Sequence, residues 1–579
     1  MGTKPIVCTI HAEFDANPDR VWDYLSNTQR WLAASRLLHI SFEKQFPEAT
    51  IGFGKIHFVA KEAFPEWKSG HYVKRQWQLR RFLSSLLLSV ELLPVEGSRE
   101  KTEANLTWEF IPKGVVSSFI THLFKNMYFA KKSKKMLQRL QAFFRGEVPT
   151  AYYPIADRPP FSEAEANKIR EAVADLSLAA EAKQKLADFL LYAFPEDLAK
   201  IRPKYLAHWL KIEENALLNA FLDLMKNGIF FISWHTVCPY CGAEYSEVNL
   251  PSQLHASIYC NQCGNDGEIV LDMHTEVTFR LKGIEPLKHY YFPHPFDPES
   301  LPSRIAQWRL PMKSDSTYAF KMPDMPLIFT APAKKMQFVL QPDEKGSTEV
   351  SLKIEDGKKP DFISVKPNTE LTLFLENPLE MPVFVSLNQA RRSPYQVRAS
   401  RLLIDKHYHN IADVKLPKGE MFRIRRVSLV RVAISQTVSL EKMQAWKEEV
   451  RSLSEKVGGL LAFATEKEYT FLFALPVFAF SFALSLLEKE DLAKQSKMII
   501  AYGGGRFGNL AGRLEFIGSP LKELEEGEMF AEPKSVILSL GFAKAPGIKA
   551  VIGDTRLKIS RIRKQTDPEK QYFRLSLTS

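Results

Sequence analysis

Two Cys-x-x-Cys pairs, Cys238-Pro-Tyr-Cys241 and Cys260-Asn-Gln-Cys263, stand eighteen residues apart, and a glycine follows each pair directly, Gly242 and Gly264. Two residues between cysteines allow a tight knuckle in which both sulfurs face one ion, and two knuckles complete a closed tetrahedral shell of four thiolates. That shell leaves no place for water. The expected metal is therefore a structural zinc, stabilising a small module that lacks a core of its own. A redox pair or a disulfide is disfavoured because both halves recur at a metal-binding spacing. The fifth cysteine, Cys8, lies in an apolar strand-like run and reads as a small buried hydrophobe. Five cysteines in 579 residues are too few to staple a secreted chain, so a reducing, cytoplasmic setting is expected.

A chain of this length exceeds one hydrophobic core and should divide into several domains. The formal net charge of +11 is scattered among 67 acidic residues, which implies a soluble surface rather than a nucleic-acid footprint. One dense cluster, Lys131, Lys132, Lys134 and Lys135, lies on an amphipathic helix and reads as its solvated face. Met1 to Phe14 alternates polar and apolar residues, so no signal peptide is visible, and Gly2 lacks the downstream hydroxyl that myristoylation wants. The apolar run Tyr469 to Leu487 has the length of a membrane span. Pro476 splits it and asymmetric basic flanks are missing, so core elements are expected and no stable membrane insertion.

Residues 1–147 form the first expected domain. Ile10, Ala12 and Phe14 alternate with polar neighbours as a half-buried strand does, and Asn17-Pro18-Asp19 supplies a helix start for Val21, Trp22 and Leu25. Ala104, Leu106, Trp108 and Phe110 alternate again, and a long helix closes the module with Val116, Phe119, Ile120, Leu123 and Met127 at helical spacing. This order, with "FDANPDRVWDYLSNTQRW" near its start, resembles the START-like (SRPBCC) helix-grip proteins. The resemblance implies a sheet wrapped round the last helix and an apolar ligand as a possible partner, with Trp22, Trp31, Trp77 and Trp108 as candidate lining. A plain aromatic core is the preferred reading of those four.

Residues 148–234 read as a Pro- and Tyr-rich linker followed by helices, opened by a capping box at Ser162 and Glu165 and closed by Asn227-Gly228 before the strand-like "IFFISWH". Helix, helix, strand suggests a winged-helix-like shape. Its candidate recognition helix carries Glu213, Glu214 and Asp223 against Lys226, a poor fit to phosphates, so nucleic acid is not an expected partner. Residues 235–275 hold the cysteine pairs at zinc-ribbon spacing. Residues 276–425 show short strands and turns and read as a β-sandwich; His407 and His409 are expected on a strand or loop there, as surface histidines.

In residues 426–579 the stretch "RFGNLAGRLEFIGSPLKELEEGEMFAEPKSV" resembles class III adenylate and guanylate cyclases, with "VSLVRVAISQTVS" at the first catalytic strand, "FATEKEYTFLFALP" at the second and "DTRLKISRIRKQTDPEKQYFRLSL" at the closing hairpin. A START-like module, a helical segment, a zinc ribbon and a β-sandwich ahead of a cyclase domain is similar to a group of bacterial cyclase-domain proteins. The fold expected is thus a multidomain α+β chain ending in a cyclase-like α/β domain.

The resemblance implies two aspartates holding two metal ions that activate a ribose hydroxyl and neutralise the triphosphate. Ala433 stands at the first of those positions and Glu468, after Lys467, at the second. The purine-reading lysine falls on Ala464 and the purine-facing aspartate on Glu515. The transition-state asparagine and arginine fall on Lys522 and Glu526, the latter reversing a charge. No catalytic Mg²⁺ or Mn²⁺ is therefore expected, and no Asp occurs from Val414 to Glu490 to restore the set. The formal fingerprint Gly503-x-Gly505-x-x-Gly508 lacks a following helix pattern and reads as hairpin glycines.

The leading expectation is a cytoplasmic regulatory protein with a catalytically dead cyclase domain, pairing with itself or with a cyclase-domain protein. An active adenylate or guanylate cyclase, a carrier of an apolar ligand and a nucleic-acid binder are the alternatives.

Overall fold

The computed structural model describes residues 4–577, apart from 42–47, 54–55, 80–82, 99, 149–150, 152–161, 194–197, 241, 243, 261–264, 284–297, 299–303, 335, 356–360, 390–395, 413, 436–438, 511–512, 554–556 and 565–566. The N-terminal alternation forms β1 (Ile6–Phe14), which pairs antiparallel with β8 (Thr102–Pro112), Ile10 opposite Leu106. Asn17 Oδ1 accepts from the Arg20 amide at 2.9 Å and Pro18 takes the first helical position, so the helix Pro18–Leu25 starts at its cap and buries Val21, Trp22 and Leu25. β2 (His39–Ser41), β3 (Glu48–Phe53), β4 (Ile56–Glu62), β5 (Glu66–Lys68), β6 (Tyr72–Leu79) and β7 (Leu83–Pro94) complete the sheet, in the order β1-β8-β7-β6-β5 with β2-β3-β4 joined through β6. Trp22, Trp31, Trp77 and Trp108 are all buried, with the Trp31 and Trp108 ring N–H groups donating to Leu25 O and Ser133 Oγ.

The closing helical run comprises Val115–Phe124, a π-helical turn Lys125–Ala130 and Lys131–Phe144. Its second half buries Met136, Leu137, Leu140 and Phe144. Along the stretch ahead of it Val116, Phe119, Leu123 and Met127 face outward, and Ser117 and Thr121 are the buried positions of the helix Val115–Phe124. Both hydroxyls are satisfied locally, Thr121 Oγ1 donating to Ser117 O at 2.6 Å and Ser117 Oγ accepting from the Lys113 amide at 3.0 Å, so the inward face needs no water.

The sheet does not stop at the module boundary. β5 pairs with β14 (Arg304–Leu310), Ala306 opposite Lys68 and Gln307 opposite Trp67, and the ladder runs on through β21 (Val383–Gln389), β16 (Leu327–Ala331), β17 (Met336–Ser347) and β19 (Asp361–Val365). Trp308 donates to the Tyr72 hydroxyl across this seam, and Phe64 stacks on Phe384 at 4.9 Å. A second layer, β15 (Ser314–Lys321), β20 (Glu370–Asn377) and β18 (Glu349–Lys353), closes a sandwich core of Trp308, Phe320, Phe329, Leu373 and Val385. One hydrogen-bonded ladder thus runs from residues 1–147 into the sandwich.

Two strands of residues 276–425 or at their edge belong to another sheet. β13 (Thr275–Leu281) and β22 (Val397–Arg398) pair instead with β9 (Phe230–Val237) and β10 (Glu244–Val248), in the order β10-β9-β13-β22. His407 and His409 lie not on a strand but on the helix Lys406–Ile411, capped by Asp405, which accepts from the His407 amide at 2.9 Å. Ahead of β9, the helix Glu163–Ala174 opens with the Ser162–Glu165 capping box, and the helix Glu214–Lys226 buries Leu217, Leu218, Phe221, Leu222 and Leu224 before β9. β11 (Ser257–Cys260) and β12 (Asn265–Glu268) form a separate hairpin.

In the C-terminal unit β23 (Met421–Ile434) is central. The sheet order is β24 (Leu460–Ala464), β25 (Glu468–Phe473), β23, β26 (Ser496–Leu510), β28 (Val536–Ser539), β30 (Asp567–Leu577) and β29 (Leu557–Lys564), with β27 (Arg513–Gly518) paired to β26. One face packs on the helices Leu440–Lys456 and Pro476–Leu487; the other shares a core with the middle segment through Leu271, Leu402, Phe422, Ile424 and Leu429. Pro476 begins its helix, and among the described residues no helix is long and apolar enough to cross a membrane. Gly503, Gly505 and Gly508 all lie within β26; a Cβ on Gly508 would sit 2.1 Å from Glu420 O, so the close approach of β23 requires glycine there.

Candidate functional site

β23 lies between β25 and β26, and the register sets Ala433 directly opposite Glu468 on one side and Lys497 on the other. Residues directly opposite in neighbouring strands point to one face, so these three side chains form a row across the sheet. The central methyl offers no ligand atom, while a carboxylate and an ammonium stand at the two ends. Two residues back on the same strand, and so on the same face, Arg431 is largely buried with Nη1 3.5 Å from Glu528 Oε2. With Glu528 counted, the two cations and two carboxylates named here balance, which leaves no excess negative charge to hold a pair of divalent ions.

The hairpin that carries Glu468 is firmly tied. Its amide donates to Thr465 Oγ1 at 3.1 Å, the Thr465 amide donates back to Glu468 O at 2.9 Å, and the Ile434 amide donates to Lys467 O at 2.9 Å. Ala464 is exposed at the end of β24, opposite Tyr469. Glu515 sits on β27 opposite Gly508. Lys522 and Glu526 lie four residues apart on the helix Ser519–Gly527, Lys522 exposed and Glu526 half-buried. Burial, then the charges of Glu526 and Glu523, push the Tyr572 hydroxyl up to about 12. The structure thus sets Ala433 and Glu468 side by side and puts the other three charged positions on the strand and helix that follow β26. Sequence reasoning missed Arg431 and Lys497. The alternation in "VRVA" could have found Arg431; Lys497 depends on a non-local register.

Of the four cysteines in the paired motifs, Cys241 and Cys263 lie outside the described residues. Cys238 and Cys260 are buried at the ends of β9 and β11. Cys238 opens a tight turn: the Gly242 amide donates to Cys238 O at 2.9 Å, Gly242 takes φ 71°, and the Tyr240 amide points at Cys238 Sγ from 3.4 Å. That N–H gives the sulfur a hydrogen-bond donor within the turn. Gly267 of β12 lies so close that a Cβ there would meet Pro239 Cγ at 2.9 Å, which packs the second hairpin against the first turn.

A third polar cluster lies beneath β13. Arg202 holds Glu276 with two bonds, Nε to Oε1 at 2.7 Å and Nη2 to Oε2 at 3.3 Å, and Gln396 donates to Oε2 at 3.1 Å. Burial alone would raise Glu276, but the Arg202 charge and hydrogen bonds, with Lys200 and His235 nearby, hold its carboxyl below the usual range. His235, buried opposite Glu276, bonds Thr278 Oγ1 at 2.8 Å and Glu244 at 3.2 Å, and Lys200 pairs with Glu244 at 2.7 Å. His235, Glu244 and Glu247 lie close enough to share an ion. Two of the three are committed to protein partners, which marks the cluster as a structural network.

Residues 165–303 match a family model described as "Family of unknown function (DUF5939)". No curated protein matches the chain. Among solved structures, the chain is similar to the catalytic core of a rhodopsin-guanylyl cyclase with converted specificity, at 12% identity and a TM-score of 0.24, over 28% of this chain and 100% of that one. It is also similar to the adenylyl cyclase CyaB from P. aeruginosa, at 14% identity and a TM-score of 0.23, over 28% of this chain and 97% of that one. A third is an adenylate/guanylate cyclase/hydrolase from Silicibacter pomeroyi, at 12% identity and a TM-score of 0.22, over 27% of this chain and 99% of that one.

Proposed function

We propose that the chain is a cytoplasmic signalling protein whose C-terminal domain keeps the frame of a class III nucleotide cyclase and has lost its chemistry. The observation that carries this reading is the row Glu468–Ala433–Lys497, with Arg431 behind it, at the place where the resemblance implies two metal-holding aspartates. Without oriented carboxylates on both strands, in-line attack on the triphosphate lacks its metal activation, and losing one oriented charge costs on the order of a hundredfold or more in rate. The domain then acts by binding a nucleotide, a second copy of itself or an intact cyclase domain. Purified full-length chain given ATP or GTP with Mn²⁺ should yield no cyclic nucleotide. Turnover that Glu468→Ala abolishes would overturn the reading.

Cys238, Cys241, Cys260 and Cys263 are proposed to hold one structural zinc, which would supply the cross-link that the short β11–β12 hairpin lacks. The tight turn at Gly242 and the amide aimed at Cys238 Sγ support this set. Metal analysis of protein purified without chelator should give one zinc per chain, and Cys238→Ser should remove it. A metal-free, fully folded chain would sink the assignment.

A further inference from the structure

We propose that the outward apolar face of the helix Val115–Phe124 and the lysines beyond it dock the chain flat onto an anionic lipid surface. Val115, Phe119 and Leu123 recur at i, i+4 and i+8, and Val116, Phe124 and Met127 flank them. Exposure reaches 85% at Val115, 66% at Phe119 and 74% at Met127. Isolated exposed apolar residues are ordinary; a continuous stripe of this kind on one helix marks a contact surface. On the inward face of the same helix Ser117 and Thr121 are the buried positions, each hydrogen-bonded to local backbone, so the apolar stripe lies on the outer face.

Charge complementarity selects the occupant. No acidic residue stands between Glu109 and Glu147, while Lys125, Lys131, Lys132, Lys134 and Lys135 all do. The π-helical turn Lys125–Ala130 divides the run, so that the apolar half ends as the lysine-rich first turns of Lys131–Phe144 begin. Lys131 and Lys134 are exposed there. An apolar stripe bordered by cations and free of acids is the pattern of an interfacial helix that sinks its side chains to the acyl boundary and meets anionic headgroups with its amines. A second copy of the chain fits poorly, because an isologous contact would set lysines against lysines with no acid in the segment. Nucleic acid would answer the cations and leave the apolar stripe in water.

The test uses the full chain, sedimented with vesicles of phosphatidylcholine alone or with about a quarter phosphatidylserine. Binding to the anionic vesicles should be at least about tenfold stronger than to the neutral ones and should weaken as salt is raised. Phe119→Ser/Leu123→Ser/Met127→Ser should weaken it by about tenfold or more at any salt. Lys131→Glu/Lys134→Glu, which leaves the apolar face intact, should remove the preference for phosphatidylserine. All substituted positions are exposed, and an unchanged thermal midpoint checks the fold. The proposal is overturned if the wild-type chain ignores anionic vesicles, or if binding survives both sets of substitutions. It is equally overturned if the serine variant only converts a dimer that binds no vesicles into a monomer, which would assign the face to a second copy.

Discussion

Arg202 and Arg431 are both guanidiniums in nearly dry surroundings, with side chains 14% and 13% exposed, yet their partners are unlike. Arg202 meets a carboxylate only 5% exposed, in two bonds, and Gln396 occupies the same carboxylate. Arg431 meets Glu528 at 3.5 Å, a partner 52% exposed, and its Nε is buried with no hydrogen-bond partner among the described residues. The first is a lock between the start of the helix Pro203–Leu210 and β13. The second is a cation beside the Glu468–Ala433–Lys497 row, weakly compensated by its own fold. Buried charge that serves architecture is completed by the protein around it, whereas Arg431 is left with one distant, half-exposed partner.

Breaking the lock should produce the largest change. Glu276→Gln leaves Arg202 buried without its counter-charge and should cost about 3–5 kcal/mol in urea unfolding of the full chain. The same carboxylate sets an acid limb. Its folded pKa lies below its unfolded value, so the stability it contributes is present above the unfolded value and is lost as pH falls through the folded one. Wild type should therefore lose stability on acidification below about pH 4.5, the region where carboxylates begin to take up protons, and Glu276→Gln should flatten that limb. An unchanged limb would refute the lock.

On the other side of the comparison, Ala433→Asp sets a second carboxylate beside Glu468. It should make the thermal midpoint respond to millimolar Mn²⁺ by about 1 kcal/mol, where wild type shows no response. A wild-type response as large as that of the variant would restore a metal site to the native face. Arg431→Leu, which removes an incompletely paired cation, should change stability by less than about 1 kcal/mol in either direction. A loss like that of Glu276→Gln would erase the contrast. Smallest of all, Lys313→Ala breaks the pair with Glu380, whose side chains are 64% and 85% exposed, and should move the midpoint by no more than a few tenths of a kcal/mol.

Signals that are local were legible in the sequence. Asn17 with Pro18, the Ser162–Glu165 box and the proline at 476 each start the helix they announce, because capping depends on residues three or four apart. Motif order set Ala433 and Glu468 on two strands, and the register then pairs them directly. What stayed hidden was non-local. Periodicity shows that Val115, Phe119 and Leu123 share a face but not which way the face turns, and here two hydroxyls with local partners took the inside. Lys497 lies 64 residues after Ala433 and reaches it only through strand register. The pairing of β5 with β14 joins residues far apart in sequence through a three-residue strand that no pattern could single out.

That seam has a practical meaning for anyone who cuts the chain. Severing the polypeptide after residue 147 would leave β14 with a naked hydrogen-bonding edge alongside Trp308, and would leave the small first fragment with an equally bare rim at β5. Exposed edges of this kind recruit other strands, so either piece made alone is a candidate for clumping and misregistered pairing. A shortened version keeps the β5–β14 seam only if it extends through β21, the other neighbour of β14.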